Sequence, residues 1–298
     1  MIHSPVLKKE VIEYLDPKPN QNFIDCTLGA AGHTIAILEK TQPNGKVLGI
    51  ELDPALCQMI KQETASDRLI IENNNFKNLK EIVQKKKFEK VAGVLLDLGM
   101  SSWHIDQSGR GFSFQKEEEL DMRYNTDIES SKFTAATIVN QYSPEEIEKI
   151  LKEYGEERFA RRIARAIVEE RKYRPIKTTN QLVDIIQEAV PFWYQRKRIY
   201  FATRTFQAFR IAVNDELNSL QKVLPQIVDI LEPGGKIVVI SFHSLEDRIV
   251  KNFFREQKNK NSLEIITKKP IEATPEEIEV NPRSRSAKLR AAKKINTN

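Results

Sequence analysis

The sequence predicts an α/β fold in which a doubly wound, mostly parallel sheet is interrupted by an inserted helical segment. Apolar strand-like runs alternate with helical stretches over residues 22–100, which is typical of a parallel sheet covered by helices on both faces. The alternation stops near residue 106 and resumes at Asp215. We therefore predict a core of residues 1–105 and 211–298 and a helical insertion of residues 106–210.

Four runs of apolar and β-branched residues predict the strands of the first half of the core. They cover residues 22–27, 46–52, 68–73 and 91–96. Helices are predicted between them, for example over residues 54–64 and 78–87. The run VAGVLL that begins at Val91 is almost continuously apolar, as a strand buried on both faces requires. We therefore place this strand at the centre of the sheet.

The insertion begins with a polar, loop-like stretch over residues 107–125, and helical periodicity follows over residues 142–171. Within it, Phe159, Ile163 and Ile167 recur every fourth residue and form one apolar stripe. Three basic side chains form a second stripe on the same stretch, namely Arg158, Arg162 and Arg165. This stretch is predicted to be an amphipathic helix with a basic face.

The second half of the core begins with a helix and a strand. Apolar side chains recur at helical spacing: Leu217, Leu220, Leu224, Ile227 and Leu231. Pro225 is expected to kink this helix. The sequence PGG before KIVVISF predicts a turn followed by a strand.

Basic residues are concentrated in two places, although the net charge is only +5. Residues 281–298 hold six basic residues and no acidic one, which predicts a basic C-terminal tail. Residues 192–210 hold five basic and seven aromatic residues and no acidic one. Such mixtures suit an unpaired nucleic acid, because phosphates contact the cations and bases stack on the rings. A solvated face or a frayed end explains each cluster equally well.

Composition excludes several classes of protein. At 298 residues and 40% hydrophobic content the chain can bury a core, which excludes a disordered or fibrous protein. No apolar run approaches the ~18 residues that cross a bilayer, and no leader peptide is recognisable. Cys26 and Cys57 cannot build a disulfide framework or a cysteine-rich zinc site, and no histidine–carboxylate cluster has zinc spacing. We expect a soluble, cytoplasmic protein without a metal.

Functional side chains are expected at the carboxyl ends of the strands, where doubly wound sheets bind ligands. The first strand leads into DCTLGAAGHT, which begins at Asp25. Glu51 ends the second strand, 22 residues after Gly29, where an acid commonly accepts hydrogen bonds from ribose hydroxyls. Asp97 ends the fourth strand. A glycine-containing loop and two carboxylates at strand ends predict a site for a nucleoside-type cofactor.

The loop sequence also bears on which cofactor is bound. Its G-A-A-G spacing lacks the third glycine of a dinucleotide fingerprint, and Asp25 would repel a pyrophosphate. S-adenosylmethionine has no phosphate and carries positive charges, which Asp25 and Asp97 would attract. The loop therefore favours methyl transfer, with a nicotinamide-dependent oxidoreductase or an ordinary strand-to-helix turn as alternatives.

Several motifs occur in order along nearly the whole chain: HSPVL, DCTLGAAGHT, LLDLGMSS, RGFSF, LDMR, GEERFARRIARAI, ATRTFQAFRIAVNDEL, SFHSLEDRIVK and NPRSRSAKLR. Together they closely resemble the bacterial small-subunit rRNA cytosine-N4 methyltransferases, which modify a cytosine of the decoding region. The resemblance implies a Rossmann-like class I methyltransferase core with a helical substrate domain inserted after the fourth strand. It also implies S-adenosyl-L-methionine as cofactor and 16S rRNA, within the small ribosomal subunit, as partner.

The same resemblance places the cofactor contacts at Ala31, Gly32, His33, Glu51, Phe76, Asp97 and His104. Three of these depart from the common pattern. Ala31 stands where glycine is usual, Glu51 replaces the more usual aspartate, and His104 stands where glutamine is typical. Ala31 and His104 leave a non-catalytic, RNA-binding ribosome-assembly factor as a further alternative.

Asp97 is the candidate catalytic residue, since a carboxylate there can accept a hydrogen bond from the amine as its lone pair turns toward the methyl group. Orienting the cofactor or capping a helix is the alternative role. Methylation at carbon 5 would instead need a cysteine nucleophile. Cys26 in the first strand and Cys57 in a helix beyond the second strand are not placed for that chemistry.

Basic side chains of the insertion and of the predicted tail are the candidate RNA contacts. They are Arg158, Arg162, Arg165, Arg204, Arg210, Arg283, Arg285 and Arg290. Pairing with Glu156 and Glu157 is the alternative for the helical stripe. His243 precedes the sequence SLED, which resembles a capping box that opens a helix. His243 therefore either supports this cap or contacts the substrate.

Overall fold

The computed structural model describes residues 5–64, 66–126 and 133–295, so the first two residues of the HSPVL motif lie outside the described residues. The chain divides into two compact units. The core unit comprises Met1–Met100 and Leu217–Asn298, and the helical unit comprises Ser101–Glu216. Within the described ranges, no helix combines the length and the apolar character that a membrane span requires.

The first half of the core unit alternates helices and strands, as predicted. In chain order its elements are α1 (Lys8–Leu15), β1 (Asn22–Asp25), α2 (Gly32–Lys40), β2 (Val47–Glu51), α3 (Pro54–Glu63), β3 (Leu69–Asn73), a 3₁₀ turn (Phe76–Asn78), α4 (Leu79–Lys86) and β4 (Val91–Asp97). Local chemistry explains where α3 begins. The Asp53 side chain accepts a hydrogen bond from the Ala55 amide, and Pro54 occupies the first helical position, where its missing N–H costs nothing.

The helical unit contains the elements α5 (Ser102–Asp106), α6 (Ala135–Gln141), α7 (Pro144–Gly155), α8 (Ala160–Glu170), α9 (Thr179–Ala189), α10 (Phe192–Gln195) and α11 (Thr203–Asn214). The periodicity predicted over residues 142–171 is broken between α7 and α8. Glu156 is left-handed, with φ 47°, and ends α7. A Cβ on Gly155 would lie 2.7 Å from the Arg204 carbonyl oxygen, so this position allows α7 to approach α11 closely. Arg158 consequently precedes α8 and does not lie on it.

The chain then returns to the core unit through α12 (Glu216–Ile230), β5 (Leu231–Ser241), α13 (Ser244–Asn259), β6 (Leu263–Ile265), β7 (Ile271–Glu272), α14 (Pro275–Val280), a 3₁₀ turn (Pro282–Ser286) and β8 (Lys288–Lys294). Pro225 lies inside α12, which continues past it. The prediction of a basic tail is wrong, because Lys288–Lys294 forms a strand of the sheet.

The sheet has the strand order β3-β2-β1-β4-β5-β8-β6, and β7 also pairs with β8. Strands β1 to β5 are mutually parallel, whereas β8 runs antiparallel to β5, β6 and β7. The strand order reverses between β1 and β4. Loops that leave these two strands diverge, and the crevice between them is where a doubly wound sheet binds its ligand.

Alternate residues of the central strands bury opposite faces of the sheet. Ile24, Val94 and Val239 belong to one apolar cluster, which the buried residues of α4 and α12 complete. Phe23, Leu95 and Val238 belong to the other, which α1 covers. Burial on both faces fixes the register of β1, β4 and β5, and it therefore fixes the positions of the polar residues at their ends.

Candidate active site at the carboxyl edge of the core sheet

The loop after β1 begins with a buried carboxylate. Asp25 is only 1% exposed. Its Oδ2 accepts a hydrogen bond from Thr34 Oγ1 at 2.7 Å, and its Oδ1 accepts one from the Thr27 amide at 3.1 Å. Burial raises the pKa of Asp25. Asp25 therefore fastens the loop to the first turn of α2, which corrects the expectation that its charge attracts the cofactor directly.

The turn that follows uses left-handed backbone at two positions, Gly29 (φ 50°) and Ala31 (φ 60°). Ala31 is the residue at the N-cap of α2, and its amide donates to the Leu28 carbonyl at 2.7 Å. The helix begins at Gly32 and His33, so the amides of its first turn are suited to hold an anionic group. Ala31 adopts the conformation that a glycine would take there, at some cost in strain.

Glu51 connects this turn to the end of β2. Its Oε2 accepts a hydrogen bond from the Gly29 amide at 3.0 Å, and its Oε1 accepts one from the Asp53 amide at 2.8 Å. The side chain is 8% exposed. A carboxylate offers ~4 acceptor positions, so these bonds are compatible with an additional bond from a ribose hydroxyl.

Phe76 follows β3 at the next position along this edge. It opens the 3₁₀ turn Phe76–Asn78, whose N-cap Asn75 accepts a hydrogen bond from the Lys77 amide. The adjoining Asn74 amide donates to the Glu51 carbonyl at 3.0 Å, which draws the end of β3 toward the end of β2. Phe76 packs against the core and is half-buried.

Asp97, at the end of β4, is held from both sides. Its amide donates to Thr27 Oγ1 at 2.7 Å, and its Oδ1 accepts a hydrogen bond from the Gly99 amide at 3.2 Å. A Cβ on Gly99 would lie 2.7 Å from the Phe242 ring, so a larger residue in this turn would force that ring to move. The Asp97 side chain remains 20% exposed. The site thus presents one fixed, partly accessible carboxylate.

The His33 imidazole is buried next to Asp97. Its side chain is 6% exposed, and neither ring nitrogen makes a hydrogen bond to a described residue. Nε2 lies 3.4 Å from Asp97 Oδ2, within ion-pair distance. Buried polar atoms are normally hydrogen-bonded. An imidazole in this state, beside a helix N-terminus and a carboxylate, fits a site completed by a polar ligand.

The structure thus gathers Ala31, Gly32, His33, Glu51 and Asp97 into one network at the sheet edge, with Phe76 on the neighbouring strand end. His104 belongs instead to the helical unit. It lies in α5, is 4% exposed, and its ring packs against three aromatic rings at centroid distances of 4.8–5.3 Å. These neighbours are Trp103, Phe112 and Tyr124.

Two residues of this network were missed by sequence reasoning. Thr27 joins β1 to β4 through the Asp97 amide, and Thr34 anchors Asp25. Both belong to the motif DCTLGAAGHT, but their partners cannot be identified from local spacing. Among the cysteines, burial raises the pKa of Cys26 and raises that of Cys57 to about 12. Both thiols are therefore poor nucleophiles, which agrees with the expectation against carbon methylation.

The predicted arginine contacts fall into separate groups. Arg158, Arg162 and Arg165 are exposed in the helical unit. Arg204 donates to the Glu156 carbonyl at 2.9 Å. Arg210 makes two hydrogen bonds of 2.9 Å to the Glu216 carboxylate, so its charge is already neutralised within the protein.

The arginines near the C-terminus are part of the fold. Arg283 and Arg285 lie in the 3₁₀ turn Pro282–Ser286. Arg290 lies in β8, is 7% exposed, and donates to both Asp247 carboxylate oxygens at 2.6 and 3.0 Å. Its assignment as an RNA contact is therefore corrected, because its guanidinium ties β8 to α13.

His243 is the N-cap of α13. Its Nδ1 accepts from the Glu246 amide at 3.4 Å, while Glu246 Oε2 accepts from the His243 amide at 3.3 Å. This reciprocal pair is a capping box. The box therefore begins one residue earlier than the predicted SLED, and Asp247 is left to pair with Arg290. The predicted capping role of His243 is confirmed, whereas its contact with substrate stays a prediction.

The helical unit also contains a cleft of about 670 Å³ beside the short helix α10. Glu170, Asp184 and Glu188 contribute acidic groups to its wall. Phe192, which is 64% exposed, lines the same cleft. Arg174 also lines the cleft and pairs with Glu170, so acidic groups outnumber basic ones in its wall.

Comparison with known proteins yields matches over the whole chain. Residues 1–295 match the MraW methylase family. The ribosomal RNA small subunit methyltransferase H of Heliobacterium mobile is 46% identical over 311 residues, covering 98% of this chain and 99% of the relative. The protein of the same name from Geobacter sulfurreducens is 46% identical over 310 residues, covering 98% and 99%. Among solved structures, an rRNA methylase from Streptococcus thermophilus is 9% identical with a TM-score of 0.43, covering 99% of each chain.

Proposed function

Because the chain belongs to the MraW methylase family, we propose that it methylates the exocyclic N4 amine of a cytosine in the decoding region of 16S rRNA. Family membership makes the protein a methyltransferase that uses S-adenosyl-L-methionine, as the sequence predicted. The position of the modified atom, the small ribosomal subunit as partner and the cytoplasmic location are parts of the proposal.

The observation that carries the proposal is the setting of Asp97. A partly exposed carboxylate stands at the end of the central strand β4, at the reversal of strand order. Its amide donates to Thr27 Oγ1, and its Oδ1 accepts from the Gly99 amide. Cytosine N4 is conjugated with its ring and is a poor nucleophile. A fixed acceptor for the amine hydrogen helps to localise the lone pair, and positioning of this kind can lower a barrier by ~7–11 kcal/mol.

The residues at the sheet edge fit S-adenosylmethionine. Its amino-acid carboxylate suits the first-turn amides at Gly32 and His33, its ribose hydroxyls suit Glu51, and its adenine suits the ring of Phe76. Buried His33, without a hydrogen-bond partner among the described residues, favours a polar ligand here. When bound, the cofactor supplies an electrophilic methyl group. The negative charge of Asp97 attracts this positively charged donor, whereas it would repel a pyrophosphate.

Two alternatives lose their support. Membership in a methylase family leaves the nicotinamide oxidoreductase without an observation in its favour. The presence of Ala31 in place of glycine was one argument for a non-catalytic assembly factor. Ala31 nevertheless adopts the left-handed conformation that glycine would adopt in this turn, so the argument is weakened. His104 remains a candidate cofactor contact within this proposal, as do the exposed arginines of the helical unit for RNA.

The test is a methyl-transfer assay with tritiated S-adenosylmethionine on unmodified small subunits and on naked 16S rRNA. We expect label in N4-methylcytidine after digestion to nucleosides, and no label above background with Asp97→Ala. S-adenosylhomocysteine binding by that variant serves as the control for a folded cofactor site. Label in 5-methylcytidine, or full activity of Asp97→Ala, would contradict the proposal.

A further inference from the structure

An aromatic side chain of α10 lies in the middle of a group of cations. Trp193 is 49% exposed, although tryptophan is usually well buried. Arg158 Cζ lies 5.5 Å and Lys197 Nζ lies 5.1 Å from the centroid of its ring. The contact with Arg158 joins residues on either side of α8 and α9, so sequence spacing alone does not reveal it.

Hydrogen bonds to the buried Glu157 hold the backbone next to Trp193 in place. The next residue, Tyr194, donates its hydroxyl hydrogen to Glu157 Oε2 at 2.8 Å, and Glu157 is 3% exposed. Glu157 Oε1 accepts from the Phe159 amide at 2.8 Å, and Phe159 packs edge-on against Trp193 at 5.9 Å. Glu157 is thus occupied in holding α10 to the start of α8. The side chain of Glu157 therefore does not follow the alternative in which it pairs with the arginine stripe.

The two sides of α10 differ in charge. On the Trp193 side stand Arg158, Lys197 and the exposed Arg162, whose Cζ lies 5.8 Å from the Phe159 ring. On the Phe192 side stands the cleft with acidic walls. Both aromatic residues are exposed and adjacent, and Arg196 Cζ lies 4.2 Å from the centroid of the Phe192 ring. Phe192 thus has one cation beside a cleft with three acidic groups, whereas Trp193 has two cations, Arg158 and Lys197.

We propose that Trp193 is a stacking platform for an unpaired base of the RNA substrate, with Arg158, Arg162 and Lys197 contacting the adjoining phosphates. The inference rests on the proposed function for the identity of the RNA, and it relocates the RNA contact from the engaged Arg210 to this surface. Flat exposed rings among cations bind unpaired nucleic acid because every base has a face that stacks. A base inside a duplex is already stacked and is not available to Trp193.

The experiment measures binding of a fluorescein-labelled unpaired RNA by fluorescence anisotropy, with a duplex of the same sequence as a second probe. Trp193→Ala should weaken binding of the unpaired RNA about 5- to 150-fold, the change expected for ~1–3 kcal/mol per stacked base. Phe192→Ala, the matched control, should change it less than twofold. Equal losses of affinity for the unpaired RNA in Trp193→Ala and Phe192→Ala would overturn the platform. So would a loss of affinity for the duplex in Trp193→Ala that equals the loss for the unpaired RNA.

A second readout reports the ring directly. The chain has two tryptophans, so Trp103→Phe leaves Trp193 as the only indole fluorophore. Unpaired RNA should quench its fluorescence with the same midpoint as the anisotropy change. Absence of quenching in a variant that still binds the RNA would show that no base stacks on Trp193.

The outcomes separate this inference from the proposed function. Wild-type methyl transfer together with unimpaired binding by Trp193→Ala would overturn the platform and leave the function standing. Trp193-dependent binding without methyl transfer by the wild type would overturn the function and leave the platform standing.

Discussion

The Nε2 atom of His33 lies 3.4 Å from Oδ2 of Asp97, and these two side chains come from opposite sides of the point where the strand order reverses. His33 belongs to the first turn of α2, and Asp97 ends β4. The imidazole therefore limits the orientations that the carboxylate can adopt. This makes His33 a positioning residue for the proposed acceptor.

Replacement of His33 by alanine should lower kcat by about 10- to 100-fold, because small misplacements of a catalytic group have effects of this size. Affinity for S-adenosylhomocysteine should fall by a smaller factor, because the variant loses the contact of the imidazole with the ligand but retains the backbone amides of the turn. His33→Gln, which keeps an N–H donor, should recover part of kcat. Steady-state kinetics and calorimetry check this, and an unchanged kcat in His33→Ala would remove the residue from the mechanism.

Glu51→Gln should weaken cofactor binding by at least tenfold, or ~1.4 kcal/mol. The present carboxylate accepts from two backbone amides, whereas a glutamine offers one oxygen and turns a donor toward the other amide. Isothermal titration with S-adenosylhomocysteine measures the loss. Glu51→Asp retains the charge, so it should lose less affinity for S-adenosylhomocysteine than Glu51→Gln does. A greater loss for Glu51→Asp would show that the length of the side chain, not its charge, governs this contact.

Ala31→Gly should raise Tm by about 2–4 °C, as a gain of ~1 kcal/mol would do in a chain of this size. The reason is that Ala31 has φ 60°, which costs a residue with a Cβ ~1–2 kcal/mol. Differential scanning calorimetry provides the measurement. The control is Gly29→Ala, where a Cβ would lie 3.7 Å from the Thr27 carbonyl oxygen, an ordinary contact, but φ is 50°, so backbone strain should lower Tm. A drop in Tm for Ala31→Gly would mean that the turn is not strained.

Arg290→Ala should lower the free energy of unfolding by about 3 kcal/mol, because it leaves Asp247 without its buried partner. The salt dependence of RNA binding should stay unchanged, since the guanidinium does not reach phosphate. Urea unfolding and salt titration are the two measurements. If the variant were fully stable and its salt dependence shallower, Arg290 would be an RNA contact after all.

Neutralising Arg158 and Arg162 together should reduce the slope of log affinity against log salt by ~1.4, at ~0.7 for each phosphate contact to a single strand. Arg174→Gln is the control. Arg174 is an exposed arginine of the same unit, but it pairs with Glu170 and lines the acidic cleft. An equal decrease in slope for the control would indicate a general effect of net charge and not specific contacts.

The strands around the site could be predicted because their cores are apolar and nearly continuous. Val47–Glu51 and Val91–Asp97 each lie within one residue of the predicted bounds. β8 was missed because its sequence, KLRAAKK, reads as a solvated basic segment. The strand pairs with β5, β6 and β7 and buries Leu289, Ala291 and Ala292, while Arg290 pairs with Asp247, 43 residues away in the chain. No local sequence pattern identifies these distant partners.

The site, like the fold, was only partly predictable from the sequence. Strand ends and a glycine turn placed Glu51 and Asp97 correctly at one edge of the sheet. The network between them was not predictable, because Thr27 bonds to Asp97 on the neighbouring strand and Asp25 accepts a hydrogen bond from Thr34. Burial and pairing decided which predicted charges face solvent, and both are properties of tertiary packing.

The position of β8 between β5 and β6 has a consequence for biosynthesis. A nascent chain that has exposed everything up to β7 still lacks an interior strand, so β5, β6 and β7 cannot complete their hydrogen bonding. The helical unit lies earlier in the chain, so all of its residues are synthesised before that moment. The finished sheet, and with it the anchored N-terminus of α13, therefore forms only once residue 294 has left the ribosomal exit tunnel.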